Sequence, residues 1–312
     1  MDLVFAQLPL LLFTAIAPMA AGAFAGLSNA FLTAYFTPEA LRRIDRWTLL
    51  PLVILAAGVS LAVAFFASPQ SGLLVLQGID PGAFSFAVVM AMVFAVAAVI
   101  YWVVAMMGVM SYNVRKVVTA VMSVLAVAYA VSIGVAYMAS GVSTWASIVV
   151  PIGFAGFCLA GGVPLGTLVI AAAGALPETK RTRFAGFNLV VALIGVVASI
   201  FAVSAQLLNA QATAAVLFGG EALPGAWIYL VVAIVGFVAS LAFLRGAVSN
   251  TPSAAPMGQT AGAAAIPLRE LVDDDDDVKR GVRAAVPMLV ASNAVVLIAL
   301  IVSRVMFYAL QF

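Results

Sequence analysis

The chain has 312 residues, of which 65% are hydrophobic and 8% charged, with a net charge of +2. A soluble domain carries about 25% charged residues, so this composition cannot build a water-facing surface, and the solvent it implies is a lipid bilayer. The small net charge points to no nucleic-acid partner. With no histidine and one cysteine, Cys158, the chain cannot hold a bis-histidine haem, ligate an iron–sulfur cluster by itself or close an internal disulfide.

The N-terminal stretch MDLVFAQLPLLLFTAIAPMAAGAFAGL has no basic region before its apolar run. Its small residues fit a membrane helix rather than a cleavage site. Scanning for runs of about 19 apolar residues predicts eight spans: 8–36, 48–67, 85–110, 117–139, 148–173, 186–208, 225–246 and 284–312. The expected fold is an all-α, polytopic membrane protein, a single membrane domain over residues 1–312, arranged as two four-helix bundles.

Every basic residue but Arg304 falls at one of four connections. Arg42, Arg43 and Arg46 follow the first span. Arg115 and Lys116 follow the third, and Lys180, Arg181 and Arg183 follow the fifth. Arg245, Arg269, Lys279, Arg280 and Arg283 lie between the seventh and eighth. The alternating connections have none. This asymmetry predicts that the basic connections are cytoplasmic and that both termini lie outside. Asp80 and Glu221 then mark outer loops, and Trp145 and Trp227 sit where interfacial tryptophans belong.

The long connection 247–283 is rich in Ala, Gly, Ser and Pro, then acidic, then basic. It reads as a flexible cytoplasmic loop. Its run Asp273 to Asp277 lacks the spaced ligands of a calcium loop and reads as solvated charge. LPLLLFTAIAPMAAGAFAGL, opening the first half, echoes VPIGFAGFCLAGGVPLGTLV, opening the second. The echo is weak enough to arise by chance.

In a chain so poor in ionisable groups, those at membrane depth are the best functional clues. Asn293, Arg304 and Tyr308 fall on one face of the last helix, with Phe307 beside them. Arg304 lies about 12 Å from the helix end. From there it can either snorkel to the outer headgroups or serve a buried site, and residue types alone leave both open. Two further clusters are FFASPQSG at 65–72, where Ser68-Pro69 reads as a helix stop, and GVSTWASIVVPIGF at 141–154. In the latter, Ser143 or Thr144 is placed to cap the fifth helix.

LPLLLFTAIAPMAAGAFAGL, VSTWASIVVPIGFAGFCLAGGVPLG and SRVMFYALQF, with its R-x-x-F-Y pattern, resemble the first, fifth and last helices of one family. It is the membrane anchor subunit of dimethyl sulfoxide reductase, the DmsC type, a relative of the NrfD-type quinol-interacting proteins. The resemblance runs over nearly the whole chain. It implies a non-catalytic anchor in a bacterial cytoplasmic membrane, holding an iron–sulfur subunit and a molybdopterin catalytic subunit. It also implies menaquinol as the bound electron donor, with no cofactor held covalently.

Two positions depart from the family pattern. The family's H-L-G-S-P at the end of helix two falls on Phe65-Phe66-Ala67-Ser68-Pro69, which puts Phe65 at the histidine. Its S-N-E or S-R-E at the start of helix three falls on Ser85-Phe86-Ala87, which puts Ala87 at the acid. The expectation is therefore a rebuilt site. Menaquinol approaches laterally near the outer ends of helices two, three and eight. Arg304 and Tyr308 hold a carbonyl or hydroxyl, Ser68 and Ser85 add hydrogen bonds, Phe65 and Phe66 wall the ring, and Asp80 serves proton exit. The alternatives are a structural anchor without quinol chemistry, and a small-solute transporter. The reductase's terminal substrate is set by the catalytic partner.

Overall fold

The computed structural model describes residues 7–67, 81–180, 182–218, 220, 223–249 and 268–310, with the backbone alone for 81, 83, 218 and 268–284. Besides two short 3-10 turns at Ser143–Trp145 and Leu176–Thr179, nine α-helices are described. They are α1 (Leu8–Thr33), α2 (Pro38–Trp47), α3 (Leu49–Phe66), α4 (Pro81–Met106), α5 (Tyr112–Met138), α6 (Val149–Ala172), α7 (Phe184–Phe218), α8 (Ala226–Ser249) and α9 (Leu268–Ala309). Eight stretches are long and apolar enough to cross a membrane, with α2 and α3 joined as one of them. These eight fall on the eight spans expected from hydropathy.

α9 begins at Leu268, so residues 268–283 are helical rather than the flexible loop that composition suggests. The helix formers of LRELV and VKRGVR flank the aspartates there, and the segment continues the last span without a break. The described structure gives no account of the side chains of Asp273 to Asp277. The expected sites Ser68, Asp80 and Glu221 lie outside the described residues.

Two helices form the centre. The apolar stretches of α1 and α6 are 89% buried, against 28–44% for the other six spans. A helix apolar all round is buried all round, and these two are rich in glycine and alanine. They run parallel and in van der Waals contact. A methyl group added at Gly162 would lie 2.1 Å from the Gly22 carbonyl carbon, and one at Gly166 would lie 2.2 Å from the Ala23 carbonyl oxygen. The Gly22/Gly26 and Gly162/Gly166 pairs are small-xxx-small faces, which let membrane helices approach closely enough for dispersion to hold them.

Around this axis α3 and α5 pack on α1, while α7 and α9 pack on α6; α4 packs on α5 and α8 on α9. α5 also reaches α6, and α9 reaches α1. The two sequence stretches that echo each other are thus the two central helices, with like neighbours around each. One continuous apolar core runs through both groups.

Polar side chains tie the helices at one end. Asn29 of α1 donates to Asn188 of α7 (3.0 Å), and Asn188 donates to Thr167 of α6 (2.8 Å), all buried. Replacing Asn188 with alanine strands the Asn29 amide in apolar surroundings and leaves the Thr167 hydroxyl with its bond to the Val163 carbonyl alone. The expected loss is about 1–2 kcal/mol of folding free energy, read from detergent-titration unfolding of the purified chain.

The basic connections gather at this same end. Thr37 caps α2, accepting from Ala40 N at 3.2 Å, with Pro38 in the first turn. The backbone and hydroxyl of Thr37 both donate to Glu178, at 3.0 and 3.2 Å. Lys180 donates to the Ser249 carbonyl. Gly174, at φ +68°, closes α6 in the left-handed conformation, with Ala175 N bonding back to Ile170 O at 3.0 Å. Arg115 is more than a topology marker. Its side chain is 4% exposed and ion-paired with Asp45, which is 3% exposed.

Candidate functional site

At the opposite end of the helices, the last turns of α9 bring Arg304, Phe307 and Tyr308 into the core. Arg304 is 1% exposed, so it does not snorkel to the headgroups. Its Nε donates to Thr14 Oγ1 of α1 at 3.1 Å, and Thr14 in turn donates to the Leu11 carbonyl at 2.9 Å. The guanidinium carbon lies 3.9 Å from the ring centre of Phe307, 4.5 Å from Phe154, 5.0 Å from Tyr137 and 5.2 Å from Tyr308. Ring faces attract a cation most strongly when water is excluded.

Among the described residues no carboxylate balances this charge, and the one ion pair is Arg115–Asp45. The Nη2 of Arg304 is buried and has no hydrogen-bond partner among the described residues. An unsatisfied, charged donor in a dry interior is costly. The arrangement is suited to receive an acceptor oxygen carried on a flat, apolar group.

The box is braced from the connection before α6. Trp145 stacks on Phe307, with centroids 4.8 Å apart and planes at 8°, and its Nε1 donates to the Phe307 carbonyl at 3.3 Å. Thr144 donates to the Leu310 carbonyl at 2.8 Å. Carbonyls in the last turn of a helix lack intrahelical partners, and these two side chains supply them for α9. Two expectations are corrected here. Trp145, 2% exposed, is part of the core rather than an interfacial anchor, and Thr144 caps the end of α9 rather than the start of α6. At α6 it is Ser147 Oγ that accepts, from Val149 N at 3.3 Å. Tyr137 of α5 hydrogen-bonds Tyr308 through the hydroxyls and stacks on Phe154 at 5.7 Å.

A second element lies toward lipid. A groove of about 460 Å³ runs between the end of α3 and the start of α4, lined by Val63, Phe66, Ala67, Ser85, Val88 and Met92. It opens on the membrane-facing side, where Val63 and Met92 are exposed. Phe66 and Ser85 line this groove, whereas Arg304 and Tyr308 do not. Phe65, one residue earlier, lies about 100° around the helix, faces the core and is 2% exposed. Phe66 lines the groove, and Phe65 meets it edge to face from the core side, with centroids 5.5 Å apart.

A path of rings joins groove to box: Phe66 to Phe84 at 6.3 Å, then Phe84 to Tyr137 at 4.8 Å. Asn293 is buried and donates to the Leu289 carbonyl at 2.7 Å, about 16 Å along α9 from Arg304. Ala87, like Phe65, is an apolar core residue. Sequence reasoning missed Thr14, Tyr137, Phe154 and Phe84, because each is an ordinary apolar-span residue until another helix is placed against it.

The family model described as DMSO reductase anchor subunit (DmsC) matches residues 1–244. The match ends within α8, so the contribution of Arg304 and Tyr308 rests on their geometry. No curated protein and no solved structure matches the chain. The match takes in α1 to α7, including both central helices and the α3–α4 groove, well over half of the 312 residues, and the chain belongs to the DMSO reductase anchor subunit (DmsC) family.

Proposed function

We propose that this membrane anchor binds menaquinol at its aromatic end and lets the two electrons pass to an iron–sulfur partner docked there. That partner serves a molybdopterin catalytic subunit in a bacterial cytoplasmic membrane, with the arginine-rich end inside. The observation that carries this reading is the buried Nη2 of Arg304, without a hydrogen-bond partner among the described residues and set among four aromatic rings. A quinone carbonyl is a neutral acceptor on a flat ring, so it can satisfy the guanidinium without a second buried charge.

The lipid-facing groove gives the quinol tail and ring a place to leave the bilayer, beside Phe66 and Ser85. Phe84 stands between groove and box, and its ring must turn aside for the head group to reach Arg304. Oxidation takes two electrons and two protons from the quinol. The electrons go to the partner's cluster. The Tyr308–Tyr137 hydroxyl pair offers a hydrogen-bonding route for the protons.

The test is binding of a fluorescent quinol analogue to membranes holding the intact complex. Wild type is expected to quench it saturably, and Arg304→Leu to bind about 10–100-fold more weakly, as loss of a hydrogen bond to a charged group implies. The variant also loses the Nε bond to Thr14 and the four ring contacts, so its unfolding is measured alongside, and weakened binding by a complex that is still folded is the expected result. Unchanged binding in the variant overturns the assignment of Arg304. No binding by wild type, with the complex still on the membrane, favours a purely structural anchor. The observation that favours this second reading is the presence of Phe65 and Ala87, buried and apolar, where the family pattern places ionisable groups.

A further inference from the structure

At the arginine-rich end a second cavity, of about 400 Å³, lies between α2 and the turn joining α4 to α5. Its walls include Arg42, Asp45 and Arg46 from α2, Met107 and Met110 from the turn, and Arg115. Three arginines and one aspartate give this lining a charge of +2. The aspartate is already engaged, because Asp45 is ion-paired with Arg115 and its carbonyl accepts from Trp102 Nε1 at 3.0 Å. Arg115 is likewise committed, donating to the carbonyls of Met110 and Ala105, both at 3.3 Å.

Arg42 and Arg46 remain. Both are exposed, and among the described residues neither has an acidic group within ion-pair distance. They stand four residues apart on one helix, where like charges repel. An anion held between them removes that repulsion. The rim is apolar: Met106 and Met107 of the lining are 45% and 67% exposed, and Trp47 and Leu49, which follow Arg46 in the chain, are 46% and 44% exposed.

We propose that this cavity holds the phosphodiester group of an anionic phospholipid, with Arg42 and Arg46 as its ligands and the acyl chains lying on the apolar rim. Basic pockets between membrane helices on the cytoplasmic side are suited to such head groups. The apolar rim is what favours a lipid over a free phosphate ion. This proposal is independent of the quinol reading, since it concerns the other end of the helices.

Native mass spectrometry of the purified complex in detergent tests it, with phosphatidylglycerol and phosphatidylcholine as probes. Wild type is expected to retain phosphatidylglycerol in preference to phosphatidylcholine. In Arg42→Gln/Arg46→Gln that retention falls about 30-fold, from the loss of two arginines. Arg183→Gln/Arg245→Gln, which removes equal charge outside the cavity, is expected to retain the lipid. Equal retention of both lipids, or undiminished retention in the Arg42/Arg46 variant, overturns the proposal. Displacement of the lipid by millimolar inorganic phosphate assigns the arginines to a soluble anion and overturns the lipid assignment.

Discussion

Gly162→Leu is expected to abolish the folded bundle, leaving inserted but loosely associated helices. Even the first carbon of the new side chain would lie 2.1 Å from the Gly22 carbonyl carbon, and the next nearest atoms, at 2.3 and 2.5 Å, also belong to the Gly22 backbone. A flexible side chain can swing away from such a clash, but backbone in the middle of a helix cannot. The central helices would have to separate by several ångströms. Their close contact is the main gain available in lipid, where no hydrophobic effect drives helices together. Ordinary overpacking costs about 1–3 kcal/mol, and a clash with backbone on both sides belongs above that range. Size-exclusion chromatography and detergent-titration unfolding of the full chain give the measurement. Gly186→Leu is the control, since a methyl group there meets nothing within 4 Å. A Gly162→Leu chain as stable as the control would show that α1 and α6 do not cross at this register.

Arg115→Met is expected to destabilise the chain by about 3–5 kcal/mol, because it leaves the Asp45 carboxylate buried and alone. Asp45 is 3% exposed and lies against Arg115, with Trp102 bonded to its backbone carbonyl. The pair joins α2 to α5, and through Trp102 to α4, so its loss loosens one whole end of the first helix group. The double replacement Asp45→Asn/Arg115→Met is expected to recover most of the loss, since neither partner is then a stranded charge. A double-mutant cycle of unfolding free energies gives the coupling. Additive single effects would show that the two side chains act separately and that the ion pair contributes nothing.

The two predictions differ in how visible their residues are in sequence. GxxxG spacing at Gly22/Gly26 and Gly162/Gly166 can be read from the chain, but spacing does not say that these two faces meet each other. Asp45 passes for one more charge in a basic connection. Its partner Arg115 is 70 residues away in sequence, and only the fold brings them together.

The sequence by itself determined the eight spans, the end at which the basic residues gather and the family. Each follows from one-dimensional properties, namely the length of apolar runs, the positions of Lys and Arg, and short motifs in order. It also placed Arg304, Phe307 and Tyr308 together, because residues three or four apart on one helix share a face. Tertiary structure decided everything across helices. It turned Arg304 inward onto Thr14, 290 residues away, rather than outward to headgroups. It buried Trp145 under α9, and it split the expected quinol residues between a lipid-facing groove and an aromatic box. Helical periodicity tells which residues share a face. In lipid, hydropathy cannot tell what that face meets, because a neighbouring helix and an acyl chain are equally apolar.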